Sequence, residues 1–211
     1  MLVDIPILYQ DDDLILCRKP AGLSSEGDGM PARLRETCGG DIFCVHRLDQ
    51  PVEGLMVYAR TKAAAAALSA AIAAGKMRKE YLAVVQGTPE GAAVLRDLLF
   101  RDAAKNKSYV VKRMRKGVRP AELSYRTLER GEDLSLVRIR LHTGRSHQIR
   151  VQFASRGMPL AGDRKYGSRY TDCPLALFSV ALSFPHPGDG HLVFREAEPP
   201  AVWPWSLFSS L

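Results

Sequence analysis

The chain has 211 residues, 46% hydrophobic and 25% charged, with 30 Lys and Arg against 23 Asp and Glu. That length allows one large domain or two small ones with a real core, and the composition is that of a globular chain. The net charge of +7 and a pI near 9.4 point to a polyanionic partner, the plain alternative being a basic protein that binds nothing anionic. No CxxC pair occurs among Cys17, Cys38, Cys44 and Cys173, which argues against zinc and for a reduced, cytoplasmic protein with free thiols. The opening MLVDIPILYQDDD has no basic start and no long apolar stretch, so it does not read as a signal peptide. No apolar run approaches the ~20 residues that span a bilayer, so no membrane partner is expected.

In chain order, residues 7–9 and 14–17 flank the acidic turn Asp11-Asp12-Asp13 and predict a hairpin running into the loop Lys19-Pro20-Ala21-Gly22. Pro31 opens a short helix over 31–38. Residues 43–45 and 54–60 predict strands on either side of His46-Arg47-Leu48-Asp49. Thr61 is placed to cap an alanine-rich helix over 62–74, stopped by Gly75, and residues 81–85 predict the next strand. Residues 103–121 contain no acid and predict a twisted basic hairpin, either a charged edge strand or a surface for phosphates. Residues 123–128 and 134–141 alternate with period two and predict a strand pair around Gly131-Glu132-Asp133. A helix over 146–156 closed by Gly157, and a strand over 175–184 ended by Pro185, complete the pattern. With no repeat and no break in composition, one catalytic-type domain is the simplest organisation.

Two polar runs carry the chemistry: His46-Arg47-Leu48-Asp49 and the segment Thr143–Arg150, TGRSHQIR. In an extended segment Arg47 and Asp49 share one side. A carboxylate beside an arginine stays ionised, which suits a nucleophile or a proton-abstracting base more than a general acid. Arg150, on the helix after TGRSHQ, offers a bidentate partner for Asp49 if the two segments meet. His46, His147 and an aspartate lack HxxxH spacing and a further ligand, so no metal is assigned. A strand tyrosine such as Tyr81 is either core packing or a stacking platform for a flat base.

The blocks KPAGL (19–23), HRLDQPVEGLMVYAR (46–60), KEYLAVVQG (79–87), LHTGRSHQIRVQFASRGMPLAGDRKYG (141–167) and LALFSVALSFPHP (175–187), in that order, resemble the HRLD-type pseudouridine synthases, relatives of the ribosomal large subunit and transfer RNA pseudouridine synthase A. The resemblance implies an α+β fold with a mixed, mostly antiparallel central sheet and helices and loops flanking a central cleft. It implies Asp49 as the catalytic aspartate and Arg47 as the arginine that enters the stack as the uridine leaves. Tyr81 would pack on the target base, Arg150 would pair with the catalytic aspartate, and Ile149 would line the pocket. The reaction breaks a glycosidic bond, turns the uracil and rejoins it through carbon, with no net redox change, so no cofactor is expected. Extruding the base costs a few kcal/mol, which a wedge and a platform offset. The expected partner is ribosomal or transfer RNA, not DNA, and a monomer suffices.

The whole of 1–211 is expected to form a single catalytic domain without a separate N-terminal RNA-binding domain. Four positions depart from the family's usual pattern: Val52-Glu53 stands for Thr-Ser, Gln152 for His, Phe178-Ser179 for His-Ala, and Ser24-Ser25-Glu26 where a histidine is common. Glu53 puts a negative charge near the implied RNA path. Two other readings are carried forward. One is a catalytically altered RNA-binding or ribosome-assembly factor that keeps the fold, and the other is a small hydrolase using Asp49 with His46 or His147.

Overall fold

The computed structural model describes residues 4–211; residues 1–3, the start of the segment read as lacking a signal peptide, lie outside the described residues. In chain order the described elements are β1 (Ile7–Gln10), β2 (Leu14–Lys19), α1 (Met30–Cys38), β3 (Phe43–Cys44), β4 (Glu53–Ala59), α2 (Lys62–Ala73) and β5 (Arg78–Gln86). They continue with β6 (Ala92–Asp102), β7 (Lys107–Val111), β8 (Val118–Arg130), β9 (Leu134–Leu141), α3 (Gln148–Ala154), β10 (Leu177–Pro185) and β11 (Leu192–Glu196). The fold is α+β with mixed pairing, as the resemblance implied. The chain divides into two compact units, one built from residues up to 79 with 178–198, the other from 80–177 with 199–211. No helix among the described residues is long and apolar enough to cross a membrane.

In the first unit the strands lie in the order β1-β2-β4-β10, with β3 also on β4 and β11 also on β10. The expected hairpin β1–β2 forms around Asp11, whose Oδ1 accepts from the amides of Asp13 and Leu14 at 2.8 Å each. β2 and β4 are antiparallel, whereas β4 and β10 run parallel, with Glu53 opposite Phe178 and Gly54 opposite Ser179. Gly54 has φ +125°, and a Cβ there would collide with the backbone of Ser179, so only glycine lets these two strands approach. Thr61 caps α2 as predicted, its Oγ1 accepting from the Ala64 amide at 3.0 Å. Ala64, Leu68 and Ala71 form a buried stripe along α2. Ala64 and Leu68 join the core cluster of Leu14, Leu16, Leu55 and Val57, while Ala63, Ala66 and Ala67 face outward.

The second unit orders its strands β5-β9-β8-β6-β7. The β8–β9 pair expected from period two is present, with a register shift between Thr127 and Glu129. The basic segment is arranged differently from the expected hairpin. β7 and the start of β8 both pair with β6, one on each side, and not with each other. Pairing is decided by partners distant in sequence, and the charge run carried no sign of β6. Helix α3 starts at Gln148 rather than at 146. The reason is the Gln148 side chain, whose Oε1 accepts from Thr143 Oγ1 (2.8 Å) and the Arg145 amide (3.0 Å) and so organises the preceding residues as a turn. α3 rests on β6 and β7, with Val151 packed among Leu99 and Ala121.

Candidate functional site

The segment 46–50 is held by residues 19–26. Ser25 Oγ donates to Leu48 O at 2.8 Å and accepts from Leu48 N at 3.1 Å. Gln50 O accepts from Gly22 N (2.8 Å) and from Lys19 Nζ (3.0 Å), and Gln50 Nε2 donates back to Gly22 O at 2.9 Å. The backbones of both neighbours of Asp49 are therefore fixed, while Asp49 itself is half-buried. Leu48 is buried, Arg47 exposed and Asp49 partly exposed. A reactive group needs this kind of support from its neighbours to hold a productive geometry. Arg47 pairs with Glu26 at 3.1 Å, both side chains 54% exposed. Pairs this exposed contribute about 0–1 kcal/mol, so Arg47 is readily exchanged to another acceptor.

Lys19 opens the KPAGL block. It is fully buried, its Nζ donating to Pro20 O at 2.8 Å and to Gln50 O. Burial pushes its pKa down to about 8, opposed by the charges of Glu53 and Asp49. It remains largely charged at neutral pH, so a buried cation sits within electrostatic reach of Asp49. Glu53 is ion-paired with Arg18. Its Oε1 accepts from Arg18 Nε at 2.7 Å, and the Arg18 guanidinium lies 4.9 Å from the ring centre of Phe178. Glu53 and Phe178, two of the departures from the family pattern, thus form one group with Arg18. Ser25 and Glu26, at a third departure, hold Leu48 and Arg47. Of these departures, Ser25 and Glu26 are the ones in contact with the Asp49 segment.

His46 is not a solvent-facing base. Its Nε2 accepts from the amide of Val57 at 3.2 Å, filling the stretch of the β4 edge between β3 and β10. Burial, followed by the charge of Lys79, holds its pKa well below 6.5. The hydrolase reading through His46 loses its base. A pH effect follows. Below about pH 6.5 the unfolded histidine takes up a proton and the folded one does not, so stability falls as pH drops from there toward the depressed folded value. The expected slope from this group reaches about 1.4 kcal/mol per pH unit. Urea midpoints measured from pH 7 to pH 5 should fall, and His46→Gln should flatten that fall.

In the second unit Tyr81 lies on β5 and is 5% exposed, and Ile149 on α3 is 4% exposed. Arg150, its side chain 6% exposed, forks onto the fully buried Asp163, with Nε to Oδ2 at 2.7 Å and Nη2 to Oδ1 at 2.8 Å. Its guanidinium also lies 5.1 Å from the ring centre of Tyr166. A guanidinium has five N–H donors; this fork uses two. Tyr166 OH accepts from Ser108 N at 2.8 Å and lies 3.0 Å from His147 Nδ1, which ties α3 to β7. Asp163 and Tyr166, both in the GDRKYG block, supply these contacts to Arg150. Exposed Lys112, Arg113, Arg115, Lys116 and Arg119 follow β7, with Arg115 5.0 Å from the Phe100 ring centre.

The fold and the supported aspartate define a class, and the comparisons identify it. Residues 13–155 match the family described as RNA pseudouridylate synthase, and the chain belongs to that family. It is 31% identical over 216 residues to the ribosomal large subunit pseudouridine synthase C of Salmonella typhimurium, an alignment covering 93% of this chain and 66% of that protein. For the protein of the same description in Yersinia pestis the identity is 32% over 209 residues, covering 90% and 64%. The uncharacterized RNA pseudouridine synthase YlyB of Bacillus subtilis is 32% identical over 215 residues, covering 94% and 70%. The chain thus spans just under two thirds of the length of the ribosomal relatives. Two solved human structures share the fold. RNA pseudouridylate synthase domain containing 1 has a TM-score of 0.83 at 23% identity, covering 98% of this chain and 87% of that one. Domain containing 4 has a TM-score of 0.80 at 23% identity, covering 96% and 91%.

Proposed function

We propose that this chain isomerises a uridine in RNA to pseudouridine, with Asp49 as the reactive carboxylate and residues 1–211 acting as one catalytic domain. The observation that carries the reading is the Asp49 segment, fixed at Leu48 and Gln50 while the carboxylate itself stays partly open. On this reading Arg47 leaves Glu26 and enters the stack as the target nucleotide is extruded, offsetting the few kcal/mol that unstacking costs. Tyr81 packs on the uracil, Ile149 lines its pocket and Arg150 orients the Asp49 carboxylate. Asp49 then attacks C6 or C1′, or removes the 2′ hydrogen; each route needs it ionised. The exposed cations after β7 meet phosphates, which adds affinity without choosing a sequence. The RNA proposed is ribosomal, following the description of the relatives, with transfer RNA as the second class to examine.

The test is a carbodiimide-dependent reverse-transcription map of ribosomal and transfer RNA from cells with and without the gene. At least one stop should vanish in its absence and return with the wild-type chain. A complete map with no difference would overturn the proposal.

A further inference from the structure

A second group of chemically capable side chains lies at the far end of β10 from its pairing with Glu53. Among the described residues, His186, Asp189 and His191 bring one ligand atom each to within 4.8 Å of one another. They belong to the tight connection between β10 and β11, PHPGDGH. His186 Nδ1 lies 3.4 Å from Asp189 Oδ1, and His191 Nδ1 lies 2.6 Å from the same oxygen. None of them contributes to the support of Asp49.

Two further observations bear on what this group can hold. The first is how His186 is oriented. Its other ring nitrogen, Nε2, meets Asp11 Oδ2 at 2.8 Å. The Gly188 amide donates to Nδ1 at 3.1 Å, so Nδ1 carries the ring's lone pair and Nε2 the proton that faces Asp11. A carboxylate behind the second nitrogen is how metal-ligating histidines are held. The second observation is Gly188. A Cβ there would sit 2.7 Å from Asp13 Oδ2 and 3.3 Å from His186 Nδ1. Glycine keeps open a space that has the Asp13 carboxylate on one side and the His186 lone pair on the other.

We propose that His186 Nδ1, Asp189 and His191 form a binding site for a divalent transition metal of the zinc type, with Asp13 as the neighbouring fourth oxygen donor. Imidazole with carboxylate suits zinc, cobalt or nickel, and two imidazoles with two carboxylates satisfy a tetrahedral ion. Binding requires one movement. The rings of His186 and His191 are stacked, 4.8 Å between centres and 12° between planes. A ring nitrogen's lone pair lies in the ring plane, so two stacked rings cannot both point at one ion. The half-exposed His191 turns out of the stack, and the Gly188 amide gives up its 3.1 Å bond to His186 Nδ1. The bound ion ties the Asp11–Asp13 turn to the β10–β11 connection, segments 175 residues apart in sequence at Asp11 and His186. It acts as a staple of the first unit, with no part in the reaction.

The full chain, stripped with EDTA and exchanged into metal-free buffer, is titrated with zinc chloride by calorimetry, and its melting temperature is followed as zinc is added. One equivalent should bind and the melting temperature should rise with zinc concentration. His191→Ala and Asp189→Asn, both at exposed positions, should each weaken zinc at least tenfold and remove the rise, leaving uridine isomerisation unchanged. Cobalt should give tetrahedral d–d bands without a thiolate charge-transfer band. Binding unaltered by both variants, a thiolate band showing cysteine ligation, or no zinc-dependent rise would each overturn the site. None of these results bears on Asp49, so failure here is separate from failure of the proposed activity.

Discussion

Asp49→Asn is expected to abolish pseudouridine formation, by at least about 10⁴-fold in single-turnover rate, while RNA affinity changes less than about twofold. The asparagine keeps the shape of the side chain and loses its charge. Leu48 and Gln50 are anchored by Ser25, Gly22 and Lys19 through bonds that an isosteric change at residue 49 leaves in place, so the fold should be retained. Asp49→Ala guards against slow deamidation, which would restore the carboxylate. Rates are read by carbodiimide mapping of the target uridine, and affinity by filter binding at fixed salt, because phosphate contacts make affinity salt-dependent. A variant that still modifies its RNA within tenfold of wild type would remove Asp49 from the chemistry. A variant that loses modification and RNA binding together would point to a structural role.

The separation between chemistry and support also explains what the sequence disclosed. Local signals were legible: Thr61 before the alanine run, the alternation across Leu136 to Leu141, and the acidic turn between β1 and β2 all gave their elements. β6 escaped because Leu98 and Leu99 are adjacent apolar residues that break period two, and β11 because only Val193 is buried along it. The basic segment pairs differently from the expected hairpin for a related reason: its charges say that it is exposed, but nothing in it says that β6 lies between its two strands. The same limit applies to the site. Asp49 and Arg47 stand in a recognisable run, whereas Ser25 on Leu48, Lys19 on Gln50 and His46 on the Val57 amide join segments that only the fold brings together. Glu53 looked like an intrusive charge until Arg18, one strand away, supplied its partner. An isolated departure from a pattern is ambiguous in one dimension; here Glu53 and Phe178 are opposite each other in register.

Asp163→Ala is expected to cost about 3–5 kcal/mol, because it leaves the Arg150 guanidinium buried without its bidentate acceptor. For a chain of this size that is a loss of roughly 6–20 °C in melting temperature. Modification should fall as well, since the fork sets the plane of the Arg150 guanidinium. Stability and function can be separated with a second variant. A buried ion pair replaced on both sides by apolar groups of similar volume is often neutral or better for stability. The double variant Arg150→Met with Asp163→Leu should therefore recover much of the lost melting temperature while remaining inactive, if Arg150 orients the reactive carboxylate. Urea unfolding and single-turnover modification on the same three proteins decide the matter. Recovery of both properties in the double variant would reduce Arg150 to a packing element of α3. Recovery of neither would mean that the fork onto Asp163, with Tyr166 against its face, is needed for the second unit to fold.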